Sequence, residues 1–332
     1  MKRKLVSIQT VERVDPIEGA DRILRARVMG WDVVVKKGEL DAGDRCVFFE
    51  IDSVLPDGPA WSEFLRPRGF RVKTVRLRGV LSQGLALPVD ILEGEVPPVG
   101  TDVREALGVT KFEPVLPADG TVAGPFPPRV PKTDEIRLQS ALGVLDEIRG
   151  HDFVITTKLD GTSTTYFVDD AGELVVCSRN WSLAKGPSAQ WQIAERYRLA
   201  DVIPREMAVQ GELVGPGVQK NRLGLAQVDW FVFDAYDTRA GRHLDPLELR
   251  AFCDARGLRC VPYERVVEGD EARSFDHSLD AWLRLAGGRY EGTTNRKEGI
   301  VVRPLVGRRS DVLGGRLSFK VIDNDFLLKD ED

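Results

Sequence analysis

FVITTKLDGTS, residues 153–163, carries an apolar strand-like run straight to Lys158 and then turns it at Asp160-Gly161. A lysine leaving a strand end is ordinarily a solvated charge. A nucleophilic one needs a neutral amine, and lowering an ordinary lysine pKa of about 10.4 by three units takes ~4 kcal/mol of differential interaction. Burial at the strand end, a neighbouring cation or a bound metal ion would each disfavour the ammonium. Glycine in the turn lets the backbone approach a ligand closely. Alone, K-x-D-G recurs by chance in roughly one chain in ten of this length, so its meaning rests on its company.

That company comes in a fixed order: SRN at 178–180, GELVGPGVQK at 211–220, FVFD at 231–234, KEGIVVRP at 297–304 and SFK at 318–320. Each lies in or beside a strand-like run that can line one cleft. The runs are FVITTKL, STTYFV, LVVCSR, MAVQGELVG, WFVFDAYD, GIVVRP and RLSFKVI, with helical patterns at about 188–200, 246–256 and 278–286. Strands outnumber helices, which places the class as α+β with mostly antiparallel sheets. Thr133-Asp134-Glu135 offers N-cap chemistry for a short helix through about Ile148.

The ordered stretches resemble the motifs of the covalent nucleotidyltransferase superfamily of ligases and capping enzymes. G-E-L-x-G-P-G-x-Q-K and E-G-x-V-x-[RK]-P look most like ATP-dependent RNA ligases. The resemblance spans residues 132–332 and implies an ATP-grasp-like ligase (adenylyltransferase) domain. It makes Lys158 the nucleophile that takes AMP from ATP. Asp160 would hold waters of Mg²⁺ (or Mn²⁺), and Gly161 would lie against the nucleotide. Arg179 would contact phosphates, Glu212 the ribose hydroxyls or a metal-bound water, and Glu298 would complete the metal shell. Lys320 would hold the α-phosphate and repel a proton from Lys158. Phe233 would stack on adenine, with Phe231 the fallback because both share a strand face.

The chemistry suits these residue types. Three acids, Asp160, Glu212 and Glu298, match a hard cation that keeps its waters, and lysine with arginine stabilises charge spread over a transferring phosphoryl group. The pattern departs from many relatives at one place: Ser318-Phe319-Lys320 stands where they carry K-x-K. Arg316 is the nearest cation in sequence that could replace the absent lysine, although a guanidinium reaches differently.

Upstream, LVSIQTV, ILRARVM, WDVVVKK, RCVFFEI, FRVKTVRL and GLALPV alternate with turn signals, reading as a small barrel or sandwich. VERVDPIEGADRI, WDVVVKKGEL and GDRCVFFEIDSVLP, with FPPRVPKTDEIRLQS before the lysine strand, resemble the fifth RNA ligase family. That resemblance implies an N-terminal OB-fold β-barrel over 1–115, joined by a Pro-rich linker at 116–131. Trp31, Phe48 and Phe49 read as barrel core. RPRGFRVKTVRLR, 66–78, holds six basic residues and no acid. A bulge near Thr74-Val75 would put Arg71, Lys73, Arg76 and Arg78 on one face as an RNA track; charges simply facing water are the plainer reading. Trp181, beside Arg179, could stack or pack.

The chain's net charge of −5 argues against indiscriminate coating of nucleic acid. Three histidines and four scattered cysteines make a zinc site or disulfide scaffold unexpected. No run of about 18 apolar residues is present to span a bilayer, and no signal-peptide stretch opens the chain, so a cytoplasmic protein without membrane contact is expected, and a monomer is expected because nothing in the sequence demands a dimer. Only 12 residues follow Lys320, too few for the C-terminal OB domain of DNA ligases and capping enzymes. The resemblance thus implies an ATP-dependent polynucleotide (RNA) ligase, joining RNA 3′-hydroxyl and 5′-phosphate ends, in single strands or across a nicked duplex, in RNA repair. A catalytically inactive RNA-binding relative and an ATP-dependent DNA ligase are the alternatives.

Overall fold

The computed structural model describes residues 4–114, 117 and 119–328, which fall into two compact units. One gathers Met1–Glu113 with Gln139–Leu142 and the C-terminal residues from Leu327; the other comprises Pro114–Leu138 and Gly143–Phe326. Among the described residues no helix is long and apolar enough to cross a membrane.

The first unit is built of short antiparallel strands: β1 (Val6–Thr10), β2 (Arg13–Pro16), β3 (Ile23–Val28), β4 (Trp31–Lys36), β5 (Arg45–Phe49), β6 (Val75–Leu77), β7 (Val80–Ser82) and β8 (Leu85–Pro88). They pair as β1-β5-β8, β2-β3-β4 and the hairpin β6-β7. β5 shows why an uninterrupted apolar run can still be a strand. Its alternate side chains enter two cores: Cys46 and Phe48 pack with Trp31, Val33 and Val35, while Val47 and Phe49 pack with Val6, Ile8 and Leu55. Trp31, Phe48 and Phe49 are indeed core, exposed by 1% or less. β2 escaped the sequence reading because RVDP ends in a proline and faces largely outward.

The basic stripe is not one bulged strand. Arg71 makes an isolated bridge to Val54, residues 72–74 are irregular, and Arg78-Gly79, both at positive φ, turn β6 into β7. Acids in the same unit claim part of the charge. Arg66 pairs with Asp57 at 2.5 Å and Glu63 at 2.6 Å, and Arg71 pairs with Asp52 at 2.5 Å while lying 3.6 Å over the Phe112 ring. Arg76 donates to the Leu328 carbonyl at 3.0 Å.

The second unit stacks two sheets. The strands of these two sheets are β9 (Val122–Pro125), β10 (Ile136–Arg137), β11 (Phe153–Lys158), β12 (Thr162–Val168), β13 (Leu174–Ser178), β14 (Trp181–Leu183), β15 (Met207–Val214), β16 (Asp229–Asp237), β17 (Arg242–His243), β18 (Tyr263–Val267), β19 (Gly299–Pro304) and β20 (Phe319–Ile322). One sheet has seven strands in the order β9-β14-β13-β12-β15-β16-β17, the other five in the order β10-β20-β19-β11-β18. Every pair is antiparallel except β10 with β20. Two sequence expectations are corrected here. The proline-rich segment is not merely a connector, since β9 pairs with β14 as a sheet edge. The helix expected from Thr133 shrinks to Val144–Ile148, because residues 136–137 are drawn into the five-stranded sheet instead.

β11 lies between β19 and β18 and is buried on both faces up to its last residue. One face carries Phe153, whose ring meets Phe275 at 5.0 Å and Trp282 at 5.7 Å. Trp282 comes from the helix Leu279–Ala286, whose N-cap Ser278 accepts from the Ala281 N–H at 3.3 Å. Alternation then turns Thr156 and Lys158 to the other face, toward the seven-stranded sheet.

Candidate active site

Between the sheets of the second unit lies a cavity of about 360 Å³, within the size range of small-molecule clefts. Its walls include Lys158, Asp160, Gly161, Arg179, Glu212, Phe233, Glu298 and Lys320. The register explains the gathering. Lys158 pairs with Gly299 across β11 and β19, which sets Glu298 beside it, and Lys158 Nζ donates to Glu298 Oε2 at 2.6 Å. Lys320 on β20 faces Val301 on β19, one strand further. Thr162–Val168 carries the chain into the other sheet, where Ser163 pairs with Glu212.

Gly161 lines the cavity, but packing explains why it is glycine. A Cβ there would collide with the Leu213 carbonyl oxygen and lie 2.9 Å from Glu212 Cγ. Phe233 owes its place to an irregularity. Gln210 pairs with Asp234 and Gly211 with Val232, so Phe233 is the extra residue where the β15–β16 register slips. Phe231, opposite Glu212, does not line the cavity. Arg179 stands at the rim, more than half exposed and paired with Asp134.

The electrostatics are opposed. Burial works against the Lys158 ammonium, yet the carboxylates of Glu298, Glu212 and Asp160 outweigh it and hold the amine above the usual lysine range. The lowered pKa expected of a nucleophile is therefore absent in this setting. Burial, together with Glu298 and Asp160, pushes Glu212 up to about 7. Burial and the neighbouring Lys158 push Lys320 down to about 8.

Three acids drawn around a lysine suit a cation whose charge offsets theirs. Among the described residues no group of three or more His, Cys, Asp and Glu side chains is arranged to hold a metal ion directly. The donor set fits an ion contacted through its waters.

Arg316 does not replace the absent lysine: it is bound to Asp234 Oδ2 at 2.7 Å and lies outside this cavity. Position 318 instead meets Arg303, which lines the cavity and whose Nε donates to the buried Ser318 Oγ at 3.1 Å. Arg303 is held further by Glu135 at 2.7 Å and by the Phe233 carbonyl. The alternation of GIVVRP, which puts Val301 and Arg303 on one face, was the sequence signal for it. Thr133, Asp134 and Glu135, read as a helix cap, are cavity wall. Two other residues had no signal. Arg222 Nε lies 3.2 Å from Asp160 Oδ2, and the Tyr290 hydroxyl binds backbone at both Asp160 and Glu298. Arg71, Lys73, Arg76 and Arg78 belong to the other unit.

Comparison with known proteins finds two family matches, an OB-fold domain over residues 5–89 and RNA ligase over residues 151–322. No curated protein matches. Among solved structures the chain is similar to Naegleria gruberi RNA ligase with PPi: 35% identity, 98% of both chains covered, TM-score 0.78. A variant of that ligase with ATP and Mn aligns at 34% identity over 99% of this chain and 98% of the other, TM-score 0.78. A variant with AMP and Mn gives 34% identity, coverage of 98% and 99%, and a TM-score of 0.79.

Proposed function

The chain belongs to the RNA ligase family, and from that premise we infer that it is an ATP-dependent RNA ligase, joining a 3′-hydroxyl to a 5′-phosphate through lysyl-AMP and adenylylated RNA. The observation that carries the reading is the setting of Lys158: its amine lies at a strand end within one cavity, 2.6 Å from Glu298 and beside Glu212, Asp160 and Lys320. In the first step the Lys158 amine attacks the α-phosphorus, a P–N bond forms and pyrophosphate leaves. The ammonium must first lose a proton, and Glu298 Oε2 is the nearest carboxylate to receive it. Lys320 and Arg179 neutralise phosphate oxygens, and Phe233 stacks on the base. Asp160, Glu212 and Glu298 would hold Mg²⁺ or Mn²⁺ through water. That cation supplies positive charge that offsets the carboxylates and weakens the hold of Lys158 on its proton. Next an oxygen of the RNA 5′-phosphate attacks the AMP phosphorus, the P–N bond breaks and Lys158 takes back a proton. Finally the 3′-hydroxyl attacks the activated 5′-phosphate and AMP leaves.

Incubation with α-labelled ATP and Mg²⁺ or Mn²⁺ tests the assignment. Wild type should acquire covalent label and release pyrophosphate, and Lys158→Ala should acquire none. Label retained on Lys158→Ala removes Lys158 from this role. A matched set of nicked duplexes, with RNA or DNA on each side of the break, and the corresponding single strands define the substrate. Sealing is expected where RNA supplies the 3′-hydroxyl.

A further inference from the structure

The site's acids and its lysine are held by a residue outside the ordered motifs. The loop Arg289–Arg296, closed by an isolated bridge between its ends, buries Tyr290 at 4% exposure against Leu159, Val214 and Val261. Its hydroxyl accepts from the Asp160 N–H at 3.0 Å and from the Glu298 N–H at 3.1 Å, and donates to the Lys158 carbonyl at 3.1 Å. These bonds use its one proton and both lone pairs. The same loop reaches Asp160 by a second path. Asn295, bound through its carbonyl to the Tyr290 N–H, donates from Nδ2 to the Arg222 carbonyl at 2.7 Å, and Arg222 lies against the Asp160 carboxylate. No backbone ladder joins Asp160 to Glu298, so the hydroxyl is a direct tie between the turn after the nucleophile and the acid at the start of β19.

We propose that Tyr290 is a positioning residue for lysine adenylylation, fixing Lys158, Asp160 and Glu298 relative to one another through its single hydroxyl. The proposal rests on the ligase reading above. Its chemistry is that of outer-shell support, in which a hydrogen bond behind the reacting groups decides their separation without touching substrate. Tyr290→Phe keeps the ring and its packing but leaves two inward N–H groups and one carbonyl without their partner.

The test compares Tyr290→Phe with Tyr263→Phe. Tyr263 also donates its hydroxyl to a backbone carbonyl, that of Pro246 at 2.6 Å, yet touches none of the three residues. In single-turnover labelling with ATP and Mn²⁺, Tyr290→Phe should lower the rate at saturating ATP about 10- to 100-fold, with KM for ATP changed by less than about threefold. Tyr263→Phe should label at a near wild-type rate. Amide hydrogen exchange without nucleotide or metal should quicken at Asp160 and Glu298 in Tyr290→Phe alone. Wild-type labelling by Tyr290→Phe, equal losses in both variants, unchanged exchange at the two amides, or loss of the native fold would each overturn the role. A wild type that forms no lysyl-AMP would overturn the ligase reading itself, and this role with it.

Discussion

Glu212 is a cavity-wall acid that is costly to the fold. Burial and two neighbouring carboxylates push its pKa up from 4.5 to about 7. A folded pKa raised above the unfolded one contributes stability fully present below about 4.5 and lost as pH rises through about 7. Glu212→Gln removes that dependence. Without nucleotide or divalent cation, the Gln variant should therefore melt on the order of 2–4 °C above wild type at pH 8 and level with it at pH 4.5, the scale of about 1 kcal/mol in a cooperative unit of about 150–250 residues, such as the one that holds Glu212. Thermal melts at the two pH values check it, and a variant less stable at pH 8 would contradict the sign. Lys158 and its acids were legible from their order along the chain. Tyr290 was not, because a buried tyrosine in a loop carries no motif, and its importance lies wholly in which backbone groups its hydroxyl meets.

At the scale of strands, one register slip decides which aromatic faces the cavity. Phe231 and Phe233 are equivalent by alternation, and only the extra residue between Gln210–Asp234 and Gly211–Val232 separates them. Phe233→Leu should raise KM for ATP roughly tenfold, since stacking of a base on an aromatic is worth about 1–3 kcal/mol, while Phe231→Leu should leave it within about twofold. Single-turnover adenylylation at varied ATP measures both, and equal effects would deny the bulge this role. The last motif shows the same limit of one-dimensional reading. Arg316 is nearer to Ser318 in sequence, yet Asp234 holds it, and Arg303 reaches Ser318 from the adjoining strand.

For the whole molecule, the question is how an acidic protein engages a polyanion. Part of the basic stripe in the first unit is already paired with Asp52, Asp57 and Glu63. If Lys73 contacts RNA phosphate, Lys73→Ala should weaken binding of a nicked duplex and reduce the slope of log K against log salt by about 0.9, as loss of one counterion-releasing contact requires. Arg66→Ala should leave the slope unchanged. Fluorescence anisotropy over a salt series separates them, and an unaltered slope for Lys73→Ala would place the track elsewhere.

The chain alone disclosed its class, its two-part order and the ordered lysine and acids that come to line the cavity. Apolar periodicity is a local property, and the motif residues sit on strands whose alternation can be counted. Only the tertiary structure decided that Phe233 rather than Phe231 faces the cavity, that Arg303 occupies the ground beside Ser318, and that carboxylates hold Lys158 as an ammonium. Each of these depends on pairing register or on fields from residues far apart in the chain, and neither register nor field is written in any local run of sequence.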